Sequence, residues 1–258
     1  MGGLKKRRLD DLLVARGHAH TRAEAAALVG AGCIMVNDSP LVKAGSLYRP
    51  DCRITIKKKE PFVSRGGKKL AAALDAFALD PVGWICADIG CSTGGFTDCL
   101  LQNGARRVYA VDVGYGVLDW RLRNDERVIV LERCNARYLS DKEVPEPVDL
   151  CVADASFISL DRLLGPMTGL FGVREKIQII VLVKPQFELP KNKVGRGGIV
   201  RDPDLRQQAL EKILLAGERL GLTCRGTIPS PVKGTRGNQE YLMYLTGTAV
   251  DRDPVSDI

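Results

Sequence analysis

A glycine-rich loop introduced by an acidic residue is the first feature of this sequence that indicates chemistry. The loop reads Asp88-Ile-Gly-Cys-Ser-Thr-Gly-Gly-Phe96 and follows an apolar run, Trp84–Ile89, that is typical of a strand. Glycines at such a strand end let a ligand approach the backbone closely. A dinucleotide-binding loop would read GxGxxG and hold pyrophosphate at the next helix N-terminus. The acid disfavours that anion and suits a sulfonium and amino-acid group.

A second acidic residue follows at a spacing that suits a ribose ligand. Asp112 ends the apolar run Arg107–Asp112 and lies 22 residues beyond Gly90. A carboxylate at the end of a second strand can accept hydrogen bonds from both hydroxyls of a nucleoside ribose. The loop and this acid together predict S-adenosyl-L-methionine as the cofactor.

Asp154 and Lys184, which end two further strand-like runs, indicate the methyl acceptor. Amino-group methyltransferases usually carry Asn/Asp-Pro-Pro-Tyr/Phe where this chain reads Asp154-Ala-Ser-Phe157. Carbon-5 pyrimidine methyltransferases need a nucleophilic cysteine, and Lys184-Pro-Gln186 contains none. Ligands bind at the carboxyl ends of parallel strands. Lys184 is therefore a candidate for chemistry on a hydroxyl group, and the alternative is a lysine that caps the strand at the surface.

The segments that must position these residues alternate between strand-like and helix-like patterns. Apolar strands separated by helices predict an α/β fold, a doubly wound sheet with helices on both faces. Together with the predicted cofactor loop, this indicates a Rossmann-like doubly wound methyltransferase sheet. The predicted strands are Trp84–Ile89, Arg107–Asp112, Val128–Glu132, Val148–Asp154, Ile177–Lys184, Leu222–Ile228 and Tyr241–Leu245. Helices are predicted at Gly67–Phe77, Gly95–Gln102, Leu160–Leu170 and around Leu205–Gly217.

The N-terminal segment differs from this body in charge and in pattern. Residues 1–69 contain 15 Lys and Arg against 6 Asp and Glu, whereas residues 70–258 contain 23 against 25. Clustered basic residues predict a polyanion-binding module, and the alternative is a solvated basic face without a partner. The pattern predicts a small α+β domain, with helices over Arg8–Arg16 and after Thr21, and short strands at Cys33–Val36, Leu41–Val42 and Arg53–Ile56.

Several classes of protein are excluded by what the sequence lacks. The longest stretch without a charged residue is Ala25–Asn37, 13 residues, whereas a membrane-spanning helix needs about 18–20 apolar residues. The acidic Asp10 and Asp11 leave no apolar secretion signal after the basic N-terminus. Eight cysteines without a CxxC pair and two histidines give no zinc-site spacing. We therefore expect a soluble, cytoplasmic protein with no metal and no membrane contact.

The N-terminal motifs resemble a known RNA-binding domain. Arg8-Leu-Asp-Asp-Leu-Leu13, Thr21-Arg-x-x-Ala-x-x-Leu-Val29 and Gly32-x-Ile-x-Val-Asn37 are similar to the αL module that a small-subunit ribosomal protein shares with many RNA-modifying enzymes. The resemblance implies that Arg8 and Arg22 bind RNA phosphates. Some pseudouridine synthases carry a catalytic Asp in an Arg-Leu-Asp context, but here Asp10 falls inside the binding module and is interpreted as structural.

The remaining motifs resemble the TlyA family of ribosomal RNA 2′-O-methyltransferases, some of which are also named haemolysins. The matching motifs are Val63-Ser-Arg-Gly-Gly-Lys-Lys-Leu70, Asp88-x-Gly-x-Ser-Thr-Gly-Gly-Phe-Thr97, Asp112-Val-Gly-Tyr-Gly116, Arg123-Asn-Asp125, Glu132-Arg-x-Asn135, Asp154-x-Ser-Phe-Ile-Ser159, Val183-Lys-Pro-Gln-Phe-Glu188 and Gly237-Asn-x-Glu240. The resemblance implies three segments: an αL-type domain at residues 1–58, a linker at 59–63 and an FtsJ-like methyltransferase domain at 64–258.

The same resemblance implies the residues of each site. The family's catalytic tetrad falls on Lys69, Asp154, Lys184 and Glu240, with Lys69 preferred to Lys68 because it directly precedes Leu, and Glu240 preferred to Glu188 because of its Gly-Asn-x-Glu context. Cofactor-binding residues are predicted at Asp88, Gly90, Ser92, Thr93, Gly94, Gly95, Phe96, Asp112 and Asn135. RNA-binding residues are predicted at Lys5, Lys6, Arg7, Arg8, Arg22 and Arg65.

The implied function is S-adenosylmethionine-dependent methylation of a cytidine 2′-hydroxyl in ribosomal RNA, with ribosomal RNA or ribosomal subunits as partners. Two alternatives stay open: a membrane-active haemolysin, and a ribosome assembly factor that uses the cofactor only as a structural ligand. The nucleotide, the ribosomal subunit and the choice between monomer and dimer are not fixed by the sequence.

Overall fold

The computed structural model describes residues 5–56, 60–172 and 176–248. The chain forms two compact units, Met1–Glu60 and Pro61–Ile258. The predicted end of the first domain at residue 58, the first position of the predicted linker at residue 59 and the predicted domain end at residue 258 lie outside the described residues.

The N-terminal unit is a small α+β domain with two short antiparallel sheets. Its elements are β1 (Arg7–Arg8), α1 (Leu9–Ala15), α2 (Arg22–Gly30), β2 (Ile34–Val36), β3 (Leu47–Tyr48) and β4 (Ile54–Ile56). β1 pairs with β3, and β2 pairs with β4. The apolar faces of both helices pack on the strands, with Leu9, Leu13, Ala25 and Ile34 fully buried. The Thr21 hydroxyl caps α2 by accepting the Glu24 N–H at 3.1 Å.

One predicted strand of this unit is wrong. Leu41–Val42 is irregular backbone and Leu41 is 91% exposed, because the preceding Pro40 lacks an N–H donor and no strand in the described part of the chain pairs with this position. β1 and β3 were not predicted, since two-residue strands show no alternation of polar and apolar side chains. The predicted helices and the strands near Cys33–Val36 and Arg53–Ile56 are confirmed within two residues.

The second unit is an α/β domain built around one sheet of seven strands. Its strands are β5 (Ile85–Ile89), β6 (Arg107–Val111), β7 (Val128–Leu131), β8 (Leu150–Ala153), β9 (Lys176–Val183), β10 (Thr223–Pro229) and β11 (Tyr241–Thr248). Its helices are α3 (Gly66–Ala76), α4 (Gly95–Gln102), α5 (Trp120–Arg123), α6 (Asp161–Gly169), α7 (Pro185–Glu188) and α8 (Pro203–Glu218).

The strand order β10-β11-β9-β8-β5-β6-β7 confirms a doubly wound sheet. β5 to β9 are parallel, and β11 runs antiparallel between β9 and β10. The apolar runs predicted these strands, but not the insertion of β11 between two strands that precede it in the chain. Consecutive strands β5, β6 and β7 extend the sheet one way, whereas β8 and β9 extend it the other way. The order in which successive strands are added to the sheet therefore reverses between β5 and β8, which are parallel neighbours.

Helices cover both faces of this sheet, which explains why its central strands are apolar throughout. All five residues of β5 and the last seven of β9 are buried. One buried cluster joins the sheet to α6 and α8, and a second joins it to α3 and α4. At the carboxyl ends of the parallel strands this packing stops, and the loops that follow β5, β6, β8 and β9 carry the predicted site residues.

Candidate active site

The reversal of strand order opens a crevice between the loops after β5 and β8. Gly90 directly follows β5 and has φ at 79°, and a Cβ at this position would lie 3.1 Å from the Asp154 carbonyl oxygen. Two cavities of about 340 and 800 Å³ adjoin at this point and share Gly90, Ser92, Asp154 and Ser156 in their walls. Crevices of this kind are where ligands bind in open α/β sheets.

The four residues of the predicted tetrad converge on the smaller cavity from four different elements. Lys69 comes from α3, Asp154 follows β8, Lys184 follows β9 and Glu240 precedes β11. The Lys184 Nζ lies 2.5 Å from Asp154 Oδ1, and the Lys69 Nζ lies 2.6 Å from Glu240 Oε2 and 3.8 Å from Asp154 Oδ2. Two lysines and two carboxylates therefore form one alternating network.

Because the network is buried, its charged groups are stabilised mainly by their ion pairs with one another. Lys69, Lys184 and Glu240 are 8%, 7% and 3% exposed, so each charge has lost most of its water. A buried charge is tolerated only where it is paired and hydrogen-bonded. Lys184 also donates to the Ser156 hydroxyl at 2.8 Å, a contact that sequence reasoning missed although Ser156 lies in a quoted motif. These bonds fix the direction of the Lys184 ammonium group at the cavity wall.

The structure separates the two carboxylates between which the sequence had to choose. Glu240 contacts Lys69, whereas Glu188 accepts hydrogen bonds from the Leu160 N–H at 3.0 Å and the Lys212 Nζ at 3.2 Å, and also from the Ser159 hydroxyl. Glu188 thus ties the loop after β8 to α8. It does not line either of the two cavities.

Asp88 is buried at the base of the smaller cavity. Its Oδ2 accepts the Thr97 N–H at 2.9 Å and the Thr97 hydroxyl at 2.7 Å, while its Oδ1 has no hydrogen-bond partner among the described residues. Burial raises the pKa of Asp88 to about 7, the Thr97 bonds oppose this rise, and the nearby Asp154 charge adds to it. One carboxylate oxygen is therefore left for a ligand.

The glycine loop passes from Asp88 to the start of α4. Gly94 has φ at 93°, and a Cβ there would lie 2.3 Å from a Leu122 methyl group, so this glycine serves the packing of the loop. Gly95 and Phe96 line the smaller cavity, whereas Thr93 and Gly94 line neither cavity. The loop therefore brings part of the predicted cofactor set to the cavities and turns Thr93 and Gly94 away from them.

The remaining predicted cofactor residues line the larger cavity. Asp112 accepts the Ser92 N–H at 2.8 Å and the Gly114 N–H at 2.7 Å, one on each carboxylate oxygen. Because each oxygen has a second lone pair, the carboxylate keeps acceptor capacity for hydroxyl groups. Asn135 lines the same cavity and accepts the Arg137 N–H at 3.2 Å.

The predicted RNA-binding residues belong to two different units. In the N-terminal unit Lys5, Lys6 and Arg7 are exposed. Arg8 and Arg22 are also exposed, but they pair with Asp10 at 2.6 Å and Asp11 at 2.5 Å. Asp10 is buried beneath Arg8, which agrees with a structural role. Arg65, in the second unit, lines the smaller cavity.

Residues 5–56, 60–172 and 176–248 contain neither a helix that could span a membrane nor a side-chain group that could bind a metal ion. No helix in these ranges is long and apolar enough to cross a membrane. Within the same ranges, no group of three or more His, Cys, Asp or Glu side chains is arranged to hold a metal ion.

Comparison with known proteins shows the family to which this chain belongs. The model of the FtsJ-like methyltransferase family matches residues 62–246, which is most of the chain. The chain belongs to the FtsJ-like methyltransferase family. An S4 domain model matches residues 7–51, within the N-terminal unit. The domain types predicted from the motifs are therefore confirmed, and the second unit is a methyltransferase domain.

Individual relatives cover nearly the whole of this methyltransferase. It is 44% identical over 250 residues to the 16S/23S rRNA (cytidine-2′-O)-methyltransferase TlyA of Mycobacterium tuberculosis, covering 96% of this chain and 92% of the relative. It is 36% identical to Hemolysin A of Brachyspira hyodysenteriae, covering 92% and 99%. A solved structure of a protein named as a hemolysin from Streptococcus thermophilus has a TM-score of 0.72 and 36% identity, covering 98% and 92%. The resemblance to the TlyA family is confirmed.

Proposed function

We propose that this protein transfers a methyl group from S-adenosyl-L-methionine to the 2′-hydroxyl of a cytidine in ribosomal RNA. The observation that carries the proposal is the Lys184–Asp154 ion pair of 2.5 Å, set at the crevice beside the glycine loop. The name of the Mycobacterium tuberculosis relative supports cytidine and ribosomal RNA as the substrate.

The residues around the crevice fit this cofactor. The free Oδ1 of Asp88 suits the amino group of a methionine moiety, and the remaining acceptor capacity of Asp112 suits ribose hydroxyls. Asn135, Cys134 and Ala136 border the larger cavity, which has room for an adenine ring. When bound, the cofactor supplies an electrophilic methyl group on a sulfonium.

The chain's own contribution is to position and activate the hydroxyl. The reaction is an in-line attack of oxygen on the methyl carbon, so alignment contributes a large share of the rate. The Lys184 ammonium would hold the 2′-oxygen and stabilise the negative charge that develops on it, and the hydroxyl proton would pass to the adjacent Asp154 carboxylate as the oxygen–methyl bond forms and the sulfur–methyl bond breaks. Asp154 orients Lys184, and Glu240 holds Lys69 so that its ammonium adds positive potential beside the attacking oxygen.

The exposed basic residues of the S4 domain suit the phosphates of the substrate RNA. Lys5, Lys6 and Arg7 project from the start of this domain without an ion pair to any described carboxylate. Such contacts add affinity that falls with salt and does not depend on sequence. We therefore propose ribosomal RNA or a ribosomal subunit as the partner.

The test is methyl transfer by the full-length protein. Purified protein, methyl-labelled S-adenosylmethionine and unmodified small- or large-subunit ribosomal RNA are expected to give labelled RNA, with the label mapped to one cytidine. Ribosomal RNA from cells that lack the gene should accept this label, whereas RNA from cells that carry it should not. Absence of labelling on every RNA and subunit preparation would contradict the proposal and favour an assembly factor.

A further inference from the structure

A cationic cleft lies beside the smaller cavity, which contains the tetrad residues and is called the catalytic cavity below. It encloses about 280 Å³, and its wall contains four cationic and no acidic side chains: Arg201, Arg206, Lys233 and Arg236. Lys233 also lines the catalytic cavity, together with Lys69 and Lys184. The cleft and the catalytic cavity therefore share a wall.

The four cations of this cleft are not matched by a carboxylate among the residues that line it. Across residues 5–56, 60–172 and 176–248, none of its four cations forms an ion pair with a carboxylate. The Arg206 Nε is buried and has no hydrogen-bond partner, although another guanidinium nitrogen of Arg206 donates to the Arg201 carbonyl. The second unit, residues 61–258, holds 26 basic against 25 acidic residues, so the cleft is a local concentration of positive charge in a nearly neutral domain.

Two segments carry Arg201, Lys233 and Arg236, and hydrogen bonds join these segments to each other, whereas Arg206 lies in α8. Asn238, 3% exposed, accepts the Val200 N–H at 3.0 Å and donates to the Gly198 carbonyl at 2.8 Å. Arg236 donates to the Gly197 carbonyl at 2.6 Å. The side chain of Asn238 thus joins residues 198–200 to the segment 230–240, which ends at Glu240. These hydrogen bonds hold the backbone that carries Arg201 and Arg236 in place before any ligand arrives.

We propose that this cleft binds a backbone phosphate of the substrate RNA next to the nucleotide whose ribose enters the catalytic cavity. The inference rests on the proposed function for the identity of the substrate. Guanidinium groups match the oxygens of a phosphate through paired hydrogen bonds, and the unpartnered Arg206 Nε gains an acceptor. A phosphate held here fixes the neighbouring ribose relative to Lys184, so the cleft sets which ribose along the strand reaches the methyl group.

The test compares two charge reversals in the full-length protein. Arg201→Glu alters the cleft, and the Arg201 side chain makes no hydrogen bond to the described residues. Arg219→Glu is the matched control, because Arg219 is exposed and follows the end of α8, whereas the cleft residue Arg206 lies near the start of that helix. With a ribosomal RNA fragment at about 0.15 M salt, Arg201→Glu should raise the Kd about tenfold, and the slope of log K against log salt should become shallower by about 0.7.

The other readouts separate this inference from the proposed function. The affinity for S-adenosylmethionine should match the wild type in both variants, whereas turnover at saturating RNA should match it only in Arg219→Glu, because Arg201→Glu loses the contact that positions the ribose beside Lys184. Equal loss of RNA affinity in Arg201→Glu and Arg219→Glu, or no loss in either, would contradict the proposal that the cleft binds an RNA phosphate. A wild-type protein that binds RNA but transfers no methyl group would instead overturn the proposed function, and the binding comparison would still report on the cleft.

A second measurement locates the phosphate on the RNA. In a set of substrates, each phosphate near the target is replaced in turn by a neutral methylphosphonate. The wild type should lose affinity strongly at one position, and Arg201→Glu should lose less at that same position because the contact is already gone. Identical responses of the two proteins at every position would contradict a phosphate contact and leave only a general charge effect.

Discussion

The Lys69 Nζ lies 2.6 Å from Glu240 Oε2, although the two residues are 171 positions apart in the chain. This bond holds Lys69 3.8 Å from Asp154 Oδ2, so the closer partner of Asp154 is Lys184, at 2.5 Å. Glu240 thus determines how the two lysines share one central carboxylate. The order of the network depends on a residue that need not touch the substrate.

Replacing Glu240 should therefore slow turnover without weakening binding. In Glu240→Gln the buried Lys69 loses its charged partner and competes with Lys184 for Asp154. A charged hydrogen bond contributes about 1.5–3 kcal/mol, so turnover should fall about 10- to 100-fold. Glu188→Gln is the control, since Glu188 is equally buried but contacts Ser159, Leu160 and Lys212. Steady-state kinetics should show lower turnover for Glu240→Gln alone, whereas equal losses in both variants would indicate a purely structural effect.

Replacing Lys184 should affect the chemical step most. Lys184→Ala should bind S-adenosylmethionine and RNA almost normally, and single-turnover methyl transfer should slow by a factor of about 10²–10⁴, the usual share of positioned acid–base catalysis. Lys184→Arg should not restore the rate, because the planar guanidinium cannot occupy the site of a compact ammonium beside Asp154 and Ser156. Full turnover in Lys184→Ala would remove it from the mechanism.

Cofactor binding should depend on the protonation of Asp88. Its pKa of about 7 arises chiefly from burial, so the carboxyl is neutral below that pH and less able to bind an ammonium group. The affinity for S-adenosylmethionine should therefore fall between pH 8 and pH 6, by roughly threefold to tenfold. Titration calorimetry should detect proton release on binding near pH 7. Asp88→Asn should bind more weakly and show a flat profile, and a flat profile in the wild type would contradict this assignment.

The same group should affect stability in the opposite direction. The folded-state pKa of Asp88 is raised above the ordinary value of 3.8, so the folded ligand-free protein binds the proton more tightly than the unfolded chain. This contribution to stability is complete below about pH 4 and is lost as the pH rises through about 7. In thermal melts, Asp88→Asn should therefore gain relative to the wild type as the pH increases across this window. A constant difference in Tm would show that Asp88 does not titrate there.

The S4 domain should supply salt-dependent RNA affinity. Changing Lys5, Lys6 and Arg7 together to Gln should weaken RNA binding and make its salt slope shallower by about 0.7 for each lost phosphate contact. S-adenosylmethionine affinity should not change. A matched triple replacement of Arg106, Arg219 and Arg225 removes the same charge from the methyltransferase domain. If this control weakens RNA binding as much, the S4 domain has no special role.

The parallel strands were predictable because both of their faces are buried, which makes their sequences apolar along the whole length. The position of β11 between β9 and β10 was not predictable in this way, since a local pattern carries no information about which strand lies beside it. The strand predicted at Leu41–Val42 was wrong, because two consecutive apolar residues do not form a strand unless a neighbouring strand pairs with them, and Leu41 is exposed.

The four tetrad residues were predicted from the motif resemblance. The ion pairs that join them could not be predicted from the spacing of residues along the chain, because they link residues in or beside α3, β8, β9 and β11 across the whole domain. Ser156 was overlooked because a serine two residues after Asp154 has no distinctive pattern of its own. The cationic cleft was also invisible in the sequence. Its wall combines residues 199–201, Arg206 and residues 233–239, which are brought together in part by the Asn238 side chain through its bonds to Gly198 and Val200.

The product of the reaction tests the central claim most directly. A 2′-O-methyl group removes the neighbouring hydroxyl that alkaline cleavage of RNA requires. After reaction with the wild-type protein, ribosomal RNA should resist alkali at one cytidine, and nuclease digestion with mass spectrometry should identify 2′-O-methylcytidine. Methyl label recovered on a base, in RNA that remains cleavable by alkali at every position, would contradict the account.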